Sequence, residues 1–159
     1  MTQEITAVYT FGIGIKEREK LELVATFFIG ADMFGISAIR VQEIVRFQKM
    51  TYVPHAPNYV IGLINLRGQI VTAIDLRYRL TGEHIKVSEQ SMSLIVKAQE
   101  GIYCVIVDDV GDVLEVSQGQ LEAPPETMAA SMRAYVSHIC KLDKKLLNIL
   151  DADKIVGAE

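Results

Sequence analysis

Three histidines, two cysteines and one acidic cluster are the side chains of this sequence best suited to chemistry, and their spacing assembles none. His55, His84 and His138 stand apart, none at i+3 or i+4 from another histidine, a cysteine or a group of carboxylates, so the pairs that open a zinc site are missing. His138 and Cys140 fall on one face of a predicted strand, but two ligands leave a metal open. Asp108-Asp-Val-Gly-Asp112 has the oxygen donors a hard cation needs. Its spacing departs from that of a calcium loop, and the segment reads as an acidic turn. There is no Gly-x-Ser-x-Gly elbow and no phosphate-binding loop. Gly12-Ile-Gly14 runs into the mixed charges of Lys16-Glu-Arg-Glu-Lys20, not into a helix that could seat a phosphate. The expectation is a protein without catalytic residues, metal or cofactor.

What remains is recognition, and two charged residues stand out. Arg67 sits between apolar runs, and its guanidinium offers five donors in a planar fork. Glu43 shares a strand face with Val41, Val45 and Phe47, unusual company for a carboxylate. A pair between them at the rim of an apolar groove would order that rim for a partner. A pair serving stability alone, or two unrelated strand-edge charges, fits the residues as well.

Both residues must be positioned by strands. Ile61 to Leu66 and Gln69 to Ile74 are β-rich apolar runs separated by Arg67-Gly68, which predicts a two-residue hairpin, because glycine accepts positive φ at no steric cost. Upstream, Leu23 to Ile29 and Met33 to Ile36 predict a hairpin turning at Ala31-Asp32. Ser37 to Arg40 reads as one helical turn leading into the alternating strand Val41 to Phe47. Pro54 and Pro57 keep the next segment extended and then turning. Asp75 is placed to cap a short helix through Leu80. A second hairpin follows, Ser93 to Ala98 with Ile102 to Val107, then a short strand Val113 to Val116 and a long connection through residues 117 to 133. Ala134 to Leu142, Leu146 to Leu150 and a helical turn from Asp151 to Val156 close the chain. Roughly ten short strands punctuated by Gly, Pro, Asp and Asn predict an all-β barrel or sandwich. The order strand, turn, strand, Asp-capped helix occurs twice, in Leu63 to Leu80 and in Ser137 to Val156, which suggests two similar lobes.

The 159 residues, half of them hydrophobic, suit one domain or two small lobes sharing a core. No run reaches the length of a membrane span, and the first residues lack the pattern of a secretory signal. A net charge of −4 without a dense basic block argues against broad binding to nucleic acid or anionic lipid. Cys104 and Cys140 both lie in apolar sequence and read as buried free thiols of a reducing compartment, although sequence leaves a disulfide between them open. The reading is a cytoplasmic protein.

Val41-Gln-Glu-Ile44, Pro54 and Pro57, the block Gly62-Leu-Ile-Asn-Leu-Arg-Gly68, Ile70-Val71 and Ile74-Asp-Leu76 together resemble the CheW-like domain of chemotaxis coupling proteins. Val107-Asp-Asp-Val110 with Asp112-Val-Leu114, and Leu147-Asn-Ile-Leu150 with Asp153-Lys-Ile155, are similar to that family's later segments. The resemblance implies an all-β fold of two interlocked five-stranded SH3-like barrels sharing a hydrophobic core, in one domain over residues 21–157 behind a leader over residues 1–20. It implies a non-catalytic adaptor that couples the cytoplasmic tip of methyl-accepting chemotaxis receptors to the regulatory domain of a CheA-type histidine kinase, in arrays at the inner face of the membrane. Ile39, Val41 and Glu43 would face the receptor. Gly62, Leu66, Arg67 and Gly68 would serve the kinase, and Glu43 with Arg67 would form the ion pair. A related SH3-like scaffold for a different two-component or pilus-like system would present the same core. The chain departs from the family pattern in its leader, and in Asp109 where the family often has glycine.

Overall fold

The computed structural model describes residues 20–157 and the backbone of Ile5–Thr6. The Gly12–Gly14 and Lys16–Glu19 segments lie outside the described residues. Ile5–Thr6 (β1) pairs with the start of Lys20–Ile29 (β2), Thr6 opposite Lys20 and Ile5 opposite Leu21.

The first barrel takes β2, Asp32–Ser37 (β3), Asp109–Ser117 (β9), Val136–Lys141 (β11) and Leu146–Leu150 (β12). The second takes Val41–Arg46 (β4), Val60–Leu66 (β5), Gln69–Asp75 (β6), Met92–Ala98 (β7) and Gly101–Val107 (β8). Their orders, β9-β2-β3-β12-β11 and β4-β7-β8-β6-β5, are the same pattern: in each, the third and fourth strands are parallel and every other pair antiparallel. The strand after each central hairpin crosses over, β4 leaving the first barrel for the second and β9 making the reverse journey. The two barrels are therefore interlocked.

The duplication extends to register. Val60 pairs with Ile74 and, after a bulge, Gly62 with Ala73; Val136 pairs with Leu150 and, after a bulge, His138 with Ile149. Each hairpin leads into an aspartate that caps a short helix. Asp75 caps Leu76–Thr81 (α1) by accepting the Tyr78 amide at 3.0 Å. Asp151 caps Ala152–Val156 (α3) by accepting those of Asp153 and Lys154. A carboxylate there satisfies amides that the first turn leaves without partners.

Between the barrels lies the largest apolar cluster. Phe27, Phe34 and Ile36 of the first barrel meet Leu94, Val96, Val105 and Val107 of the second, with Leu76 and Leu80 from α1 and Ile155 from α3. Each barrel also has its own interior, Val24, Val116, Cys140, Leu147 and Ile149 in the first and Ile64, Val71, Ala73, Ile95, Cys104 and Ile106 in the second. The cysteines are buried, free, and in different barrels.

The structure alters three local expectations. The β2–β3 turn is Gly30-Ala31, one residue earlier than expected, because Ile29 pairs with Asp32 and Gly30 takes the positive φ of 62°. The acidic segment is no turn: Asp109 opens β9, which runs along β2. A register shift opposite Thr26 throws its acids outward, and the Thr26 hydroxyl fixes it by donating to the Asp112 carbonyl at 2.6 Å. The long connection after β9 carries three short elements, a 3-10 turn Gln118–Gln120, Leu121–Glu122 (β10), paired with β11, and Ala130–Arg133 (α2).

Candidate functional site

β4 and β5 are the two edges of the five-stranded sheet, and the curl of that sheet brings them together. Thr51, just past β4, exchanges both backbone hydrogen bonds with Leu63 of β5, at 2.8 and 2.9 Å. Across the same closure the Arg67 guanidinium donates to the Glu43 carboxylate. The pair spans from mid-β4 to the β5–β6 turn and ties the edge strands together.

The turn is built to present Arg67. Arg67 and Gly68 both have positive φ, 51° and 89°, the combination a two-residue type I′ hairpin requires. The Asn65 side chain locks it by accepting the Gly68 amide at 2.8 Å. A non-glycine residue in the left-handed region costs roughly 1–2 kcal/mol, and asparagine or glycine would sit there more easily. The chain keeps a long cation at a strained tip instead. Arg67 is 65 % exposed and Glu43 27 %, so the pair contributes only about 0–1 kcal/mol to folding. Stability is a weak reason for this arrangement.

The other residues singled out in the sequence divide by burial. Ile39 lies on the 3-10 turn Ala38–Arg40 and is half-buried, as is Val41 at the start of β4. Leu66 packs inside the second barrel with Ile64 and Val71. Gly62 is interior too, and for a steric reason, since a Cβ there would stand 2.6 Å from the Thr51 carbonyl oxygen. The bare backbone of Gly62 lets Thr51 reach β5 and close the barrel. Gly62 and Leu66 thus support the hairpin from within, while Arg67 and Gly68 form its exposed tip.

Sequence reasoning gave no role of their own to Thr51, Asn65 and two exposed apolar side chains, Ile44 at 41 % and Ile70 at 61 %. Ile44 was visible as an apolar residue on the Gln42–Arg46 side of the β4 alternation, and Ile70 as one on the solvent side of β6. Thr51 gives no sequence signal, because its role depends on which strand it meets.

Away from this rim, several buried or half-buried titratable groups are occupied structurally. Asp75, buried, also accepts the Ile85 amide and faces His84 Nδ1 at 2.9 Å, while the His84 ring stacks on Tyr78. Asp153 accepts from Arg40 and from the Gln99 amide at 2.9 Å. Burial works against its charge, but these donors outweigh that and hold its carboxyl below the usual value. Burial pushes the Cys104 thiol up to about 11. Among the described residues no three of His, Cys, Asp and Glu converge in a way that could hold a metal ion, and no helix is long and apolar enough to cross a membrane.

Comparison with known proteins gives one answer. A family model for the CheW-like domain matches residues 23–159. The chemotaxis protein CheW of Bacillus subtilis (strain 168) is 32 % identical over 145 residues, covering 91 % of each chain. That of Klebsiella aerogenes is 28 % identical over 133 residues, or 84 % of this chain and 80 % of the relative. Among solved structures, the crystal structure of the scaffolding protein TtCheW from Thermoanaerobacter tengcongensis has a TM-score of 0.76 at 28 % identity, covering 87 % of this chain and 94 % of that one. With the interlocked barrels and the near full-length matches in agreement, this chain belongs to the CheW-like family of chemotaxis scaffold proteins.

Proposed function

We propose that the protein is a non-catalytic cytoplasmic adaptor, joining the regulatory domain of a CheA-type histidine kinase to the cytoplasmic tip of methyl-accepting receptors in a membrane-associated array. The observation that carries this reading is the Glu43–Arg67 pair across the closure of the second barrel. Ile39, Val41 and Glu43 form the receptor side of the proposal, and the tip Arg67-Gly68, held by Gly62 and Leu66, the kinase side. The ion pair then links the two docking elements directly, so a load on one strand edge reaches the other without any chemistry. Exposed Ile44 and Ile70 supply apolar contact beside the charged rim, and such mixed patches suit a standard protein interface.

The test is a calorimetric titration of the full chain with the isolated regulatory domain of the kinase from its own organism. Saturable one-to-one binding that weakens when the Arg67 side chain is removed supports the proposal. A folded protein that shows no binding to that domain refutes the kinase assignment, and unchanged binding on loss of Arg67 removes this hairpin from the interface.

A further inference from the structure

The internal duplication is complete in the walls of the barrels and incomplete at one end. In the second barrel the loop after α1 folds back and closes the end beside Asp75. Ile85 is buried against Ala73, Ile64 and Ile106, and its amide lies 3.3 and 3.2 Å from the two Asp75 carboxylate oxygens. Its neighbour His84 places Nδ1 at 2.9 Å from the same carboxylate. The plug is thus an aliphatic side chain between His84 and Lys86, anchored by its amide on the helix-capping aspartate.

By register, Asp151 and Ile149 of the first barrel are the counterparts of Asp75 and Ala73. Among the described residues no amide outside α3 anchors on Asp151 as that of Ile85 does on Asp75, and the aliphatic side chain nearest the opening is half-buried Leu121 of β10, which packs with Ile149 on one wall. Instead a cavity of about 670 Å³ opens on those two counterparts, with Glu22, Arg40, His138 and Asp153 around it. Asp151 Oδ1 accepts two α3 amides, but its Oδ2 has no donor among the described residues, whereas both oxygens of Asp75 are engaged. Arg40 is committed to Asp153, which leaves Glu22 and Asp151 to set the charge of the opening as acidic.

We infer that this cleft receives an extended segment of a partner protein, with one aliphatic side chain flanked by basic residues and its backbone amide donated to Asp151. The chemistry is that of His84-Ile85-Lys86, supplied from outside. The inference does not rest on the assignment of kinase and receptor to the Glu43–Arg67 rim, although the cleft adjoins the turn that carries Ile39 through Ser37 and Arg40.

The probe is an acetylated and amidated hexapeptide copying Glu83–Ser88, titrated into the full-length, nitrogen-15-labelled chain. The expected result is saturable shifts of the His138, Ile149, Asp151 and Asp153 amides. A peptide with aspartate in place of the isoleucine should not bind. Asp151→Asn, which keeps a helix-capping oxygen, should weaken binding about tenfold, as expected on losing a charge-assisted hydrogen bond. Absence of saturable shifts at these residues, or equal binding by the aspartate peptide, overturns the inference. Binding that appears only after removal of residues 1–19 also overturns it, by making the chain's own N-terminal segment the occupant.

Discussion

Tyr59 and Tyr135 occupy the same point of the two barrels and flank a single guanidinium. Each tyrosine carbonyl accepts the amide of a helix-capping aspartate, Tyr59 from Asp75 at 2.7 Å and Tyr135 from Asp151 at 3.0 Å. Between them lies buried Arg79 of α1, 3.7 Å over the Tyr59 ring and 5.5 Å from the Tyr135 ring. It donates to the Tyr135 hydroxyl at 3.1 Å and to the carbonyls of Lys154 and Gly157. A cation from one barrel therefore holds the helix end of the other, even though its buried Nε has no partner among the described residues.

Arg79→Ala should cost about 2–4 kcal/mol in urea unfolding, since it leaves buried acceptors unpaired and opens a cavity. Arg79→Lys should recover only a small part, because an ammonium cannot stack as a planar fork or serve several acceptors in one plane. Full recovery by lysine would show that charge alone matters.

Gly62→Ala should destabilise the fold by about 1–3 kcal/mol, because the Thr51 backbone must move to make room. Weakened exchange protection of the Thr51 and Leu63 amides would locate the damage at the barrel closure. A protein of parental stability would mean that the strand edges meet more loosely than their hydrogen bonds imply.

Arg67→Asn separates folding from recognition. Relief of the left-handed backbone offsets the lost ion pair, so stability should remain within about 1 kcal/mol of the parent. Affinity for the kinase regulatory domain should fall at least about tenfold, which is 1.4 kcal/mol. Glu43→Gln combined with Arg67→Asn should be less than additive in affinity if the two act as one unit.

The tie between Arg40, Gln99 and Asp153 should loosen in acid. With its folded-state carboxyl held below the ordinary value, Asp153 contributes stability above the unfolded value, and this is lost as pH falls through the lower, folded one. Melting temperature should therefore drop below about pH 4, where ordinary carboxylates begin to protonate. Asp153→Asn should melt lower near neutrality and show a shallower acid fall. An unchanged acid slope would assign that sensitivity to other carboxylates.

Neither thiol should react readily with Ellman's reagent in the native protein, and both should react at once on unfolding. Burial raises both Cys104 and Cys140, with the charge of Glu122 adding to the effect at Cys140, so little thiolate is available to attack.

The local pieces of this architecture were readable because they depend on neighbours in sequence. The Arg67-Gly68 turn, the helical turn entering β4 and the Asp75 and Asp151 caps each follow from a few adjacent residues. β9 was read too short because its outward acids, on the shifted register opposite Thr26, resemble a turn when seen without β2. The parallel pairing of β12 with β3, Leu147 opposite Met33, joins residues too distant for any local pattern to reveal. The Glu43–Arg67 pair was legible as two misplaced charges. The burial of Gly62 under Thr51 was not, because an interior glycine and a contact-making glycine look alike on paper.

The crossing of β4 and β9 between the barrels also governs how the molecule is made. As the chain leaves the ribosome, the second barrel has all its strands once β8 has emerged, but the first must wait for β9, β11 and β12. Until then the β2–β3 hairpin offers unpaired edges and the faces of Phe27 and Phe34 to whatever is near, the situation in which edge-to-edge aggregation begins. Cutting out the second barrel would leave Phe27, Phe34 and Ile36 of the first without the apolar face they pack on. A stalled or truncated chain is therefore a target for chaperones and proteases, and only the whole chain yields the folded protein.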